Sequence, residues 1–163
     1  MKTLIFPLSL VAASALLSGC AHRHDEQSSE QIQQNFVPGL GEFMAQTAAR
    51  HAKLWFAGQA RNWPLAAYEV DELHEGLEDA GRYHPSHKHI KEPVPALIGA
   101  HMDQPLASLE QAIAARDPQA FVEHYDNLTE ACNSCHRQTE FGFNVVVRPT
   151  SNPFTNQAFG TSE

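Results

Sequence analysis

The chain has 163 residues, 42% of them hydrophobic and 18% charged, with 11 Lys+Arg against 19 Asp+Glu for a formal charge of −8. That length and apolar content suit one globular domain with tails and exclude a disordered polymer. The acidic balance argues against nucleic-acid binding, which needs cations against phosphate, and three Cys are too few for a disulfide scaffold.

Residues 1–19 hold one cation, Lys2, and an apolar run from Leu4 to Leu17 broken only by Pro7, Ser9 and Ser14. A charged start followed by a short apolar core is the pattern of an export signal, too short to serve as a spanning helix of the mature protein. One reading is an ordinary secretory signal that contains a Cys. The sequence Leu17-Ser18-Gly19-Cys20 also resembles the bacterial lipobox. That resemblance implies cleavage before Cys20, lipidation of its thiol and three acyl chains, which anchor far more firmly than one. Ala21 resembles the sorting pattern of Gram-negative outer-membrane lipoproteins, so a periplasm-facing, membrane-anchored location is expected. Residues 20–37 then read as a polar tether.

From residue 38 to 140 apolar residues recur at three- and four-residue spacing, which predicts helices. The first follows Pro38-Gly39, aligns Leu40, Phe43, Met44, Thr47, His51, Leu54 and Trp55, and ends between Gly58 and Asn62. Asn62-Trp63-Pro64 opens the second with a capping Asn and a Pro in the first turn. That helix carries Ala66, Val70, Leu73 and Leu77 and is expected to stop at Gly81. After a His- and Pro-rich connection, the third runs from about Ala96 to Ala115 with Leu97, Leu106, Leu109 and Ile113 inward, and Pro105 is expected to kink or divide it. Asp117-Pro118 opens the fourth, whose seam is Phe121, Tyr125, Leu128, Cys132 and Cys135. Four such stretches predict an all-α, antiparallel four-helix bundle. Residues 141–163 read as an extended tail. The apolar segment from Phe143 to Val147 is expected to pack over the bundle, with docking to a partner as its other reading.

The last predicted helix runs directly into Cys132-Asn133-Ser134-Cys135-His136, the Cys-x-x-Cys-His signature of covalent c-type haem. On a helix, positions i, i+3 and i+4 share a face, so two thiols can meet the two vinyl groups of one porphyrin edge beside an axial imidazole. A thioredoxin-like pair belongs near a βαβ pattern, which this chain lacks. A zinc site needs four protein ligands, and no second Cys pair exists. Chance occurrence is the remaining reading of so short a pattern.

A haem motif late in the last helix of a four-helix bundle resembles the class II cytochromes c, the cytochromes c′ and their low-spin, methionine-ligated relatives. The resemblance spans roughly Gly39 to Arg137 in helix order and is specific only at Cys132, Cys135 and His136. The long tail and the lipid anchor depart from the family. It implies one haem c attached through Cys132 and Cys135, with His136 as proximal iron ligand. No Met follows His136, so a methionine ligand must come from upstream. The family faces its first helix toward the distal side of the haem, where Met44 stands on the apolar stripe. Ligation there would complete His/Met coordination and raise the reduction potential; the competing role is a core methionine. His51, one heptad on, is an alternative distal ligand, a hydrogen-bond donor near a propionate, or a core histidine. Met102 is a weaker candidate.

These expectations describe a monohaem, membrane-anchored electron carrier that passes electrons between periplasmic or membrane redox partners and catalyses no transformation of a substrate. The alternative is a five-coordinate haem protein that binds nitric oxide or carbon monoxide. A haem peroxidase and a thiol redox or metal pair stand behind it, and the resemblance leaves a homodimer open. His84, His87 and His89 read mainly as a solvated loop and only secondarily as a metal site, and Trp55 and Trp63 as core and turn anchors.

Overall fold

The computed structural model describes residues 36–160. The signal segment, Cys20 and all of the tether but its last two residues lie outside them. Four helices follow in order: α1 (Leu40–Gln59), α2 (Trp63–Tyr83), α3 (Val94–Ala115) and α4 (Pro118–Gln138). They pack as an antiparallel four-helix bundle, with no strand among the described residues. Nor is any described helix long and apolar enough to cross a membrane.

Local chemistry sets two of the helix starts. Asn62 caps α2 by accepting from the Leu65 N–H, and Asp117 caps α4 by accepting from Gln119 and Ala120, each ahead of a Pro in the first turn. Three exits use non-glycine residues in the left-handed region: Arg61 (φ 55°), Arg116 (φ 54°) and Glu140 (φ 67°). At each, the next residue donates back across the last turn, as in Asn62 N–H to the Ala57 carbonyl at 2.9 Å and Phe141 N–H to the His136 carbonyl at 2.7 Å. These bonds satisfy carbonyls that the helix end leaves without partners and turn the chain sharply.

Two sequence expectations need correction. Gly81 does not stop α2, which continues to Tyr83. Its missing side chain instead admits α3, because a Cβ there would stand 3.2 Å from the Pro95 side chain. Pro105 does not divide α3. It removes one ladder bond, at a cost of about 3 kcal/mol. Met102, Leu106 and Leu109 are all buried around it, and at roughly 1.5–3 kcal/mol for each such side chain their burial outweighs that loss.

The core is a column of Leu54, Leu73, Leu106, Leu109, Phe121, Tyr125 and Leu128, all essentially inaccessible. Trp55 stacks on Phe121, and Trp63 meets the same ring edge-on. Between α1 and α2, Arg50 bridges the buried Glu69 at 3.1 Å and Glu72 at 2.7 Å.

The chain after α4 returns along the seam between α1 and α4. Asn133 holds the main chain of Val146, and Arg148 pairs with Asp126 while its guanidinium lies 4.6 Å over the Trp55 ring. Phe159 is buried against Phe56, and its carbonyl accepts from Asn62. The expected packing of the Phe143–Val147 side chains over the bundle is not met: only Val146 is partly covered. Phe143, Val145 and Val147 are exposed. The segment meets α4 through its main chain, at the Asn144 carbonyl and both groups of Val146, so its side chains are left largely uncovered.

Candidate functional site

Cys132, Cys135 and His136 occupy the last turns of α4, all half-buried. Both cysteines are free thiols, three residues apart on one face. Burial, reinforced by the neighbouring Cys135, pushes the Cys132 thiol up to about 12, and burial also raises Cys135. Thiols held in the protonated form are poor redox nucleophiles. Burial of the two thiols therefore weighs against the thiol redox reading.

The His136 ring is held from one side. Its Nδ1 lies 2.7 Å from the carbonyl oxygen of Asn144. A carbonyl can only accept, so Nδ1 carries the proton, and in the neutral ring the lone pair is then on Nε2. That tautomer is the one needed to bind a metal through Nε2, with the Nδ1–H bond fixing ring orientation and raising ligand basicity.

The register of α1 against α4 locates Met44. Trp55 packs on Phe121, and four residues earlier His51 stacks on Tyr125 with ring centroids 4.5 Å apart. One heptad further toward the start of α1 and the end of α4 lie Met44 and Cys132, both partly buried against the edge of the core. On these two helices the buried face ends here, while Leu77, Ala80 and Leu97 of α2 and α3 stay buried. On α1 no residue before Thr47 is buried, and on α4 none from Cys132 to the helix end is. Leu40, Phe43 and Met44 are half-exposed at a level where their neighbours further along are closed off.

His51 does not belong to this group. Thr129 Oγ1 gives its proton to the Tyr125 carbonyl at 2.9 Å, so the same oxygen accepts from His51 Nε2 at 2.9 Å. His51 Nδ1 meets the Tyr125 hydroxyl at 3.0 Å. Burial holds the imidazole down at about 4, hence neutral. With both ring nitrogens engaged, His51 takes the core role among the three that the sequence allowed. Met102 is likewise a core residue, 3% exposed.

The loop histidines do not converge. His84 binds the Pro38 carbonyl, His87 packs on Phe141 and His89, and the described residues bring no three His, Cys, Asp or Glu side chains together to hold a metal ion. Two wider grooves run between α2 and α3, lined in part by Tyr68, His74, Glu110 and Met102. Both are open surface clefts away from the cysteines.

The donor set fits a haem. There are two thiols at attachment spacing, an imidazole whose Nδ1 is already engaged by a carbonyl, and a half-exposed thioether one heptad along the facing helix. Sequence reading missed Asn133 and Asn144, since one is an unspecified position of the motif and the other acts through its main chain. Compared with protein-family models, curated proteins and solved structures, the chain matches none.

Proposed function

We propose that the protein is a monohaem c-type cytochrome that carries electrons. Cys132 and Cys135 would hold the haem as thioethers, with His136 Nε2 and the Met44 sulfur as its axial ligands. The observation that carries this reading is the α1–α4 register, in which Met44 falls one heptad beyond the His51–Tyr125 contact, as Cys132 does, on stretches of α1 and α4 that carry no fully buried residue. A bound haem supplies a one-electron iron couple. The chain's own contribution would be to fix the imidazole through Asn144 and to offer a soft neutral sulfur that favours the reduced metal. The lipobox-like Leu17-Ser18-Gly19-Cys20 supports anchoring at a periplasm-facing membrane, where haem is attached to exported chains.

The test is the full-length protein matured in a bacterial host able to attach c-type haem. Its mass should exceed that of the polypeptide by one haem that resists acid–organic extraction. The ferric spectrum should be low-spin with a weak far-red charge-transfer band. Met44→Ala should turn it high-spin and let the reduced protein take up carbon monoxide. A polypeptide mass without haem sinks the proposal, and an unchanged Met44→Ala spectrum removes Met44 from the iron.

A further inference from the structure

We propose that Asn133, acting through the C-terminal tail, is the positioning residue for His136. The proposal deepens the cytochrome reading and rests on it for the effect on iron, but its structural half stands on this chain alone.

Asn133 lies between the two cysteines of the motif. Its Oδ1 accepts from the Val146 N–H at 2.8 Å, and its Nδ2 donates to the Val146 carbonyl at 2.9 Å. One side chain thus satisfies both main-chain groups of one residue, as a neighbouring strand would. Asn133 and His136 are three apart on a helix and share a face. Asn144 and Val146 are two residues apart in the chain, and each meets α4 through its main chain. Fixing Val146 to Asn133 therefore brings the Asn144 carbonyl to His136 Nδ1, where it lies at 2.7 Å.

The chain reaches that position by a defined route. Glu140 turns it at φ 67°, Phe141 closes the helix end, and the Asn144 N–H donates to the Phe141 carbonyl at 2.8 Å. Beyond the clamp, Arg148 fastens the tail to Asp126 and Trp55. The Phe141 and Asn144 bonds bring the chain near His136, but without the Asn133 bonds nothing beyond Asn144 holds its carbonyl against the ring until Arg148. The ring can then adopt either neutral tautomer and turn about its side-chain torsions. With them, the proton stays on Nδ1, Nε2 points away from the tail, and the carbonyl makes Nε2 a stronger donor. Stronger donation stabilises the oxidised metal and lowers the potential.

The experiment uses the full chain, unmatured and haem-loaded, as wild type, Asn133→Ala, Val146→Pro and the double variant. Val146→Pro removes the N–H from the other side of the clamp, so each single variant checks the other, and circular dichroism confirms that the bundle is folded. In the unmatured chain, nitrogen-15 NMR of His136 should show the Nδ1–H tautomer in wild type and a mixture in both variants. In the loaded protein both single variants should shift the midpoint potential upward, and the double no further than the larger single shift. A residue with a merely structural role moves stability but neither readout. If the wild type carries haem and neither tautomer nor potential moves in folded variants, the clamp is refuted and the cytochrome reading stands. If the wild type takes up no haem, the cytochrome reading falls, and the tautomer measurement alone decides whether Asn133 positions the ring.

Discussion

The Tyr125 hydroxyl lies 3.0 Å from His51 Nδ1 and 3.0 Å from the His51 carbonyl oxygen, so its one proton, shared between two acceptors, ties α4 to α1. His51 is 3% exposed, and burial lowers its imidazole from 6.5 to about 4. In the unfolded chain the same group takes a proton near pH 6.5. The unfolded state therefore binds the proton first as pH falls, so stability is level above about pH 6.5 and declines from there through pH 4. The depression corresponds to a loss of order 3 kcal/mol from this one group. Urea unfolding of wild type and His51→Gln at pH 7.5 and 4.5 measures it. The variant should start less stable and lose distinctly less on acidification, whereas equal losses in the two proteins would show that His51 does not govern the acid limb.

The unmatured cysteines give a second expectation. A thiol held at about 12 is ionised to roughly one part in ten thousand at pH 8, about a thousandfold less than one at 9. Cys132 should accordingly be alkylated by iodoacetamide far more slowly than an exposed thiol, with Cys135 intermediate because it is less deeply set. Mass spectrometry of Cys135→Ser and Cys132→Ser chains resolves the two rates. Fast alkylation of Cys132 at neutral pH would revive the thiol redox reading.

The parts of this fold that were legible beforehand are those fixed by near neighbours in the sequence. Asn62 and Asp117 announce helix starts because a cap and a Pro act within three residues. The stripes of α2 and α4 are readable because burial imposes a period. Gly81 misleads because the same residue type that ends helices also permits close helix contact, and only the approach of Pro95 decides between them. The actual exits at Arg61, Arg116 and Glu140 carry no residue signature, since a non-glycine was accepted in a left-handed turn. The site divides in the same way. Cys132, Cys135 and His136 are written as a local motif, whereas the role of Asn133 needs Val146, thirteen residues away in chain with no regular structure. His51 needs the register of a helix more than seventy residues away before its partners are known.

Gly58 offers a sharp test of packing at the other end of the seam. Replacing glycine by alanine inside a helix ordinarily stabilises by about 1 kcal/mol. At Gly58 a Cβ would lie 2.1 Å from the Phe121 ring, and that ring is wedged among Trp55, Trp63 and Tyr125. It cannot step aside without displacing the core. Overpacking of this kind costs about 1–3 kcal/mol or more, so Gly58→Ala should destabilise despite its better helix propensity. Adding Phe121→Leu should return part of the loss, a coupling readable from a double-variant cycle of urea midpoints. A stabilised Gly58→Ala protein would mean that α1 and α4 do not approach as closely as described.

Arg116 sets the opposite expectation. It is exposed, ends α3 at φ 54° and ψ 36°, and donates its N–H back to the last turn. Only main-chain geometry is asked of this position, and a side chain there sits against the following carbonyl at a cost of about 1–2 kcal/mol. Glycine adopts the conformation freely but gives up entropy when the chain folds, which returns part of that gain. Arg116→Gly should therefore raise stability by roughly 0.5–1 kcal/mol, about half of the left-handed penalty. In a domain of this size that is a rise of a few degrees in Tm, measurable by calorimetry on the unmatured chain. Arg116→Ala separates the causes, because it removes the guanidinium but keeps the Cβ. It should leave Tm nearly unchanged, and a comparable rise in the alanine variant would assign the gain to the lost charge instead of the backbone.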